Sequence, residues 1–360
     1  MLKLLHGSLN LVHRSPVAPR RSVSLPAFMK PKALYLLDAD IFAAAFGLEA
    51  RKTLATLVDF VAPPLTATTW RECGPYRHEV EVIFSGWGTP PMDAAFLAEF
   101  PKLRAVFHAA GSVKNFATDA LWARGVRVTC AAAINAIPVA EFTLSQIIFC
   151  LKHGWQRVRE VREERRFRKE DEHLPSVYGS TVGLLSLSRT GRRVAAHLRQ
   201  LDVKVIAYDP VVPRAEAKAM GVRLCSLDDV FTQADVVSCH TPLLPETTRL
   251  VREHHFERMK AGASFINTAR GSIVHEAEML SVLARRLDLF ALLDVTDPEP
   301  PDPNSLLFTL PNVVVTPHIA GSLGPECQRL GQMMVEELRR FLSGAPLQGE
   351  VLEDELSHVA

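Results

Sequence analysis

The chain has 360 residues, nearly half of them apolar, and a formal net charge of +1. Single cores stop growing near roughly 250–300 residues, so two domains are expected rather than one. A charge this close to zero argues against nucleic acid or an anionic membrane surface as a general partner.

In chain order, Met1 to Lys32 carries Lys3, Arg14, Arg20, Arg21, Lys30 and Lys32 and no acid. The composition resembles a transit peptide; the favoured reading is a disordered upstream extension, with a natural start at Met29. Ala33–Leu37 is an expected strand and Arg51–Phe60 a helix. Val80–Phe84 is a strand that runs into the turn-rich Ser85–Thr89. Met92–Phe100 is expected to be helical, and Leu103–His108 and Val126–Cys130 are strands. Strands alternating with helices predict a parallel sheet covered on both faces, with ligands at the carboxyl ends of its strands. One such end, Ala109-Ala110-Gly111-Ser112-Val113, offers bare backbone N–H groups suited to a carboxylate.

Pro138–Lys152 reads as a long helix leaving this first domain, with proline near its start. Gln156–Glu172 alternates Arg and Glu and reads as a solvated helical face. Thr181–Pro210, TVGLLSLSRTGRRVAAHLRQLDVKVIAYDP, reads as strand, tight turn, helix and strand, ending at Asp209. This is the plan of a dinucleotide site. A helix N-terminus faces a pyrophosphate, and an acid further on meets a ribose. Of the three G-x-G-x-x-G positions only Gly191 is glycine; Ser186 and Ser188 hold the others. Either the turn widens around Ser188, or its hydroxyl donates to a phosphate oxygen; the donated bond is the expectation.

Four more strands follow, each closing on polar residues. Asp235–His240 runs into Thr241-Pro242, and Phe265–Asn267 into Thr268-Ala269-Arg270. Phe290–Asp294 ends in an acid, and Val313–Thr316 runs into Pro317-His318. Their ends converge on one edge of one sheet. Arg270, Glu299 and His318 together suit one chemical need. Histidine passes a proton near neutral pH, a carboxylate bonded to it fixes its tautomer, and an arginine fork grips a carboxylate. The cysteines, Cys73, Cys130, Cys150, Cys225, Cys239 and Cys327, form no C-x-x-C pair, so neither a metal site nor a disulfide framework is expected. They read as core residues of a reducing compartment, the cytoplasm. No apolar stretch of about 20 residues, the length of a membrane span, is expected.

The motifs HTPLLPETTRLV (His240–Val251), FINTARGSIVHEAEML (Phe265–Leu280), LLDVTDPEP (Leu292–Pro300) and LPNVVVTPHIAGS (Leu310–Ser322) make the chain resemble the D-isomer-specific 2-hydroxyacid dehydrogenases. NAIPVAEFTL (Asn135–Leu144) and AAGSV (Ala109–Val113) match as well. The resemblance implies an α/β fold of two doubly wound parallel-sheet domains. A Rossmann NAD-binding domain, 138–321, would be inserted in a flavodoxin-like substrate domain, 33–137 and 322–350, with 351–360 as a tail. It implies Arg270, Glu299 and His318 as catalytic residues, and Ala110, Gly111, Ser112 and Arg270 as substrate-carboxylate contacts. Ser188, Arg189, Thr190 and Gly191 would form the phosphate turn and Asp209 the ribose acceptor. Thr241, Pro242, Thr268 and Ala269 would line the cofactor, and Asp294 would hold its carboxamide. NAD as cofactor, a 2-oxoacid or 2-hydroxyacid substrate and a homodimer are implied too. Glu299 separates the chain from the formate dehydrogenase branch, which has glutamine there, and Trp87 departs from better-known members. An NAD(H)-sensing regulatory module or a pseudoenzyme of the same fold remain alternatives.

Overall fold

Short apolar runs alternating with amphipathic stretches build two sheets in a computed structural model that describes residues 30–167 and 176–357. Most of the expected 1–32 extension, and the end of the charged segment at 168–172, lie outside the described residues. The chain opens with β1 (Lys32–Leu36), α1 (Ala39–Ala45), α2 (Leu48–Leu57) and β2 (Asp59–Phe60). It continues through β3 (Val82–Ser85), α3 (Ala94–Glu99), β4 (Ala105–His108), α4 (Asp119–Ala123) and β5 (Arg127–Cys130). Then come α5 (Ala132–Leu151) and α6 (Gly154–Glu164).

The second sheet is built from β6 (Thr181–Leu185), α7 (Arg189–Leu198), β7 (Lys204–Tyr208), α8 (Arg214–Ala219), β8 (Val222–Leu224) and α9 (Leu227–Gln233). It is completed by β9 (Val236–Cys239), α10 (Glu253–Glu257), β10 (Ser264–Asn267), α11 (Glu276–Arg285), β11 (Phe290–Leu293) and β12 (Val313–Val315). Finally α12 (Cys327–Ser343) and β13 (Glu350–Val351) return to the first sheet.

The second sheet runs β12-β11-β10-β9-β6-β7-β8, all parallel. β9, β10 and β11 are buried at every position, as strands covered on both faces must be. Strand order reverses between β6 and β9, which opens a crevice there. The first sheet runs β13-β5-β4-β3-β1-β2 and is parallel except at its edge. There β13 lies antiparallel on β5, pairing Val351 with Val128. Val351, expected to begin a loose tail, is therefore a buried sheet residue.

Three other expectations need correcting. α2 starts at Leu48, after Gly47, and the β-branched and aromatic Val58–Phe60 leave it for an extended segment. The helix expected to open at Pro138 opens at Ala132, because Ala131 C=O already accepts from Ile134 and Asn135 N–H. Pro138 sits inside it, buried. By length and composition alone α5 could cross a membrane, contrary to expectation. Here it is an interior helix that packs on α7, α12, β9 and β10, with Ala140, Ile147, Cys150 and Leu151 in the core.

Candidate active site

β6 ends in a turn that the sequence makes tight. Ser186 takes φ +74°, the left-handed region where a side chain is strained and glycine is usual. Ser188 then caps α7, its Oγ accepting from Gly191 N–H. A Cβ on Gly191 would lie 2.2 Å from Ser186 O, which explains why this one glycine remains. Contrary to the expectation of a bond donated to phosphate, the Ser188 hydroxyl is already engaged. It donates to the His240 carbonyl at 2.7 Å, which ties the turn to the β9 loop. Ser188→Ala is therefore expected to lower stability by about 1 kcal/mol, the net worth of one hydrogen bond, in a denaturant melt. An unchanged midpoint would show that this tie contributes nothing.

Asp209, at the end of β7, holds the same turn from the other side. Its carboxylate accepts from Leu187 N–H (2.7 Å), Ser186 Oγ (3.1 Å) and the N–H groups of Val211 and Val212 (both 2.9 Å). Ribose hydroxyls would share an acceptor that is already engaged on both oxygens. Asp209 and Ser188 border a largely apolar slot with Leu187, Val212, Pro242 and Leu250. The slot, the open N-terminus of α7 and the glycine that no Cβ could replace fit an adenine dinucleotide.

Arg270 follows β10 on a loop shaped by Asn267. The Asn267 side chain accepts from Ala269 N–H (3.0 Å) and donates to Arg270 O (2.9 Å). Arg270 donates to Ala269 O, and burial pushes its guanidinium below its usual range while the charge of Glu299 pulls the other way. A Cβ on Gly271 would lie 2.0 Å from Thr296 O, so only glycine lets the Arg270 loop and the Thr296–Glu299 loop touch. Thr268 Oγ1 bonds Thr143 Oγ1 of α5 at 3.0 Å.

His318 follows β12 and takes φ +53°, a conformation disfavoured for its side chain. Asp294 holds it there. The Asp294 carboxylate accepts from Thr316 Oγ1 (2.6 Å), Ile319 N–H (2.8 Å) and Ala320 N–H (2.9 Å), and its carbonyl accepts from His318 N–H. The residue expected to hold a carboxamide thus clamps the histidine loop. His318 Nδ1–H donates to Glu299 Oε1 at 2.6 Å, which leaves Nε2 as the free nitrogen.

Gly111, Ser188, Arg189, Thr190, Thr241, Pro242, Thr268, Ala269 and Arg270 line one cleft. His318, Glu299 and Asp294 line a neighbouring cavity with Thr296, Leu307 and Phe308. Ala110 is buried behind the cleft, and Ser112 is half-buried beside it without bordering it. Asn135, His240 and Lys114 belong to the same neighbourhood and escape sequence reasoning. Asn135 borders the cleft and accepts from Ser322 N–H at 3.0 Å. Its signal was its place at the head of the NAIPVAEFTL motif. His240 is buried and pushed down to about 3 by burial, so it is neutral. Nothing in the pattern distinguished it from a packed core residue. Among the described residues, Asp228, His254 and His255 could together hold a metal ion. The Nδ1 of His255 accepts from Arg252 N–H, so its Nε2 carries the proton and offers no lone pair to a metal.

Two doubly wound sheets, a phosphate-type turn at the switch point and a histidine–carboxylate pair define a dinucleotide-dependent α/β protein. Residues 144–320 match the D-isomer specific 2-hydroxyacid dehydrogenase NAD binding domain. The chain is 33% identical over 260 residues to D-3-phosphoglycerate dehydrogenase of Archaeoglobus fulgidus, covering 72% of this chain and 49% of that protein. It is 34% identical over 259 residues to the Mycobacterium bovis protein of the same name, covering 70% and 48%. The chain thus spans about half the length of these curated relatives. The fold is shared by a phosphoglycerate oxidoreductase from Rhizobium etli, with TM-score 0.75 and 21% identity over 91% of this chain and 100% of that one. A glyoxylate reductase from Paecilomyes thermophila gives TM-score 0.73 and 21% identity, over the same shares. The chain belongs to the D-isomer-specific 2-hydroxyacid dehydrogenase family, and its 144–320 segment is an NAD-binding domain.

Proposed function

We propose that the protein is an NAD-dependent dehydrogenase that interconverts a D-2-hydroxyacid and a 2-oxoacid. The observation that carries this reading is the His318–Glu299 pair, a positioned acid/base histidine with Nε2 left open. When bound, NADH supplies the hydride for the carbonyl carbon. Arg270 and the backbone N–H of Gly111 hold the carboxylate, and Arg270 polarises the carbonyl. His318 gives its Nε2 proton to the oxygen, and Glu299 holds the imidazolium that makes this possible.

We assign the substrate domain to the first sheet and the cofactor domain to the second. A cytoplasmic homodimer formed through the cofactor domain is part of the reading, and the exposed Phe149, Val158 and Val161 on α5 and α6 support that face. The Asp209 carboxylate would repel a 2′-phosphate, so NADH is expected to exceed NADPH at least about tenfold in kcat/KM, the size of one strong charge contact. A panel of 2-oxoacids with each cofactor, followed at the nicotinamide absorbance, tests both points. Equal use of the two cofactors would remove Asp209 from the selection. Tight NADH binding with no turnover on any 2-oxoacid would favour a sensing module instead.

A further inference from the structure

Lys114 lies three residues past Gly111, on the turn that follows β4. Its ammonium crosses to the second sheet's loop and donates to Leu243 O at 2.7 Å. Leu243 directly follows Pro242, which lines the cleft with Gly111 and Arg270. The ammonium therefore stands at the rim of the cleft that holds Arg270. Desolvation, and then the positive charge of Arg270, hold its pKa below the usual lysine range, so the two cations feel each other.

Among the described residues no carboxylate lies within ion-pair distance of Lys114 or of Arg270. The acid whose charge reaches Arg270 is Glu299, and it is bonded to His318. An ammonium carries three donors, and Leu243 O takes one. Arg189 belongs to the phosphate turn; that leaves Arg270 in the cleft and Lys114 at its rim on the substrate side, while a simple 2-oxoacid brings one negative charge. The fork of Arg270 suits that carboxylate, which leaves the ammonium and its remaining donors without an anion.

We propose that Lys114 is a specificity residue that selects 2-oxoacids carrying a second anionic group, a carboxylate or a phosphate, at the end away from the reacting carbonyl. The proposal rests on the dehydrogenase reading above. Its chemistry requires the 2-oxoacid head to lie at Arg270 and the second anion to reach the rim. The Leu243 carbonyl holds the ammonium there, so little side-chain freedom remains to be lost on binding.

The test compares kcat/KM with NADH for two sets of substrates. Pyruvate and hydroxypyruvate carry one charge; oxaloacetate and 2-oxoglutarate add a carboxylate, and 3-phosphohydroxypyruvate adds a phosphate. The wild type is expected to favour at least one doubly charged compound by about tenfold or more, the size of a single charge-assisted contact. Which one it favours identifies the second anion. Lys114→Met should lower that ratio about tenfold, and Lys114→Arg should retain most of it, because charge rather than shape is selected. A wild-type ratio near one, with measurable turnover, overturns the role of Lys114 and leaves the dehydrogenase reading standing. A ratio unchanged in Lys114→Met, with NADH titration by fluorescence instead weakened, also overturns it and assigns the ammonium to the cofactor. Absence of turnover on every compound overturns both.

Discussion

Replacing His318 by alanine is expected to lower kcat for 2-oxoacid reduction by about 10²–10⁴-fold, the usual share of a positioned general acid. The structure explains why so much rests on one ring. Its backbone is held at a disfavoured φ by Asp294, its Nδ1–H is fixed on Glu299, and only Nε2 faces outward. NADH binding, measured by fluorescence titration, should change little, since the phosphate turn lies on the far side of the sheet order. A variant that retains most of its turnover would remove the histidine from the chemistry.

The second large effect belongs to Arg270. A charge-assisted pair with a carboxylate contributes about 1.5–3 kcal/mol, so Arg270→Ala should lower kcat/KM by about tenfold to a hundredfold. Arg270→Lys should recover only part, because a lysine ammonium lacks the planar fork. The loop itself should survive either change. Asn267 holds it through the Ala269 N–H and the Arg270 carbonyl, neither of which the side chain supplies. Full activity in Arg270→Lys would mean that the site needs only a point charge there.

Much of this architecture was legible in the chain. β6, α7 and β7 follow directly from an apolar run, a helical stripe and a second apolar run, and Asp209 falls where the pattern put it. The ends of β9, β10 and β12 announce themselves through the polar residues that close them. What resisted reading was whatever depends on a partner remote in sequence. β13 is two residues long and exists only because β5 offers an edge. Ser188 looked like a phosphate donor, and the acceptor it actually reaches is a carbonyl 52 residues away. Asp294 has the same character. Its neighbours in sequence say nothing of the loop 22 to 26 residues on that it pins. Pro138 misled for a local reason, since a proline inside a helix is costly and therefore marks a start more often than a second turn.

The return of the chain to its first sheet has a consequence for biosynthesis. The second sheet takes all its strands from one unbroken stretch, Thr181 to Val315, and can close as soon as that stretch has left the ribosome. The first sheet cannot. Leu330, Met334, Val335 and Leu338 of α12 fill its core beside Leu54, Phe84 and Phe107, and Glu350 grips Arg127 through two bonds of 2.6 and 2.8 Å. The first sheet must therefore wait, with an apolar face open, for residues made only after the second sheet is complete. Contacts of such long separation close slowly. During translation the nascent chain thus carries a finished nucleotide-binding sheet tethered to an unfinished first sheet. During that interval the open apolar face is available for aggregation.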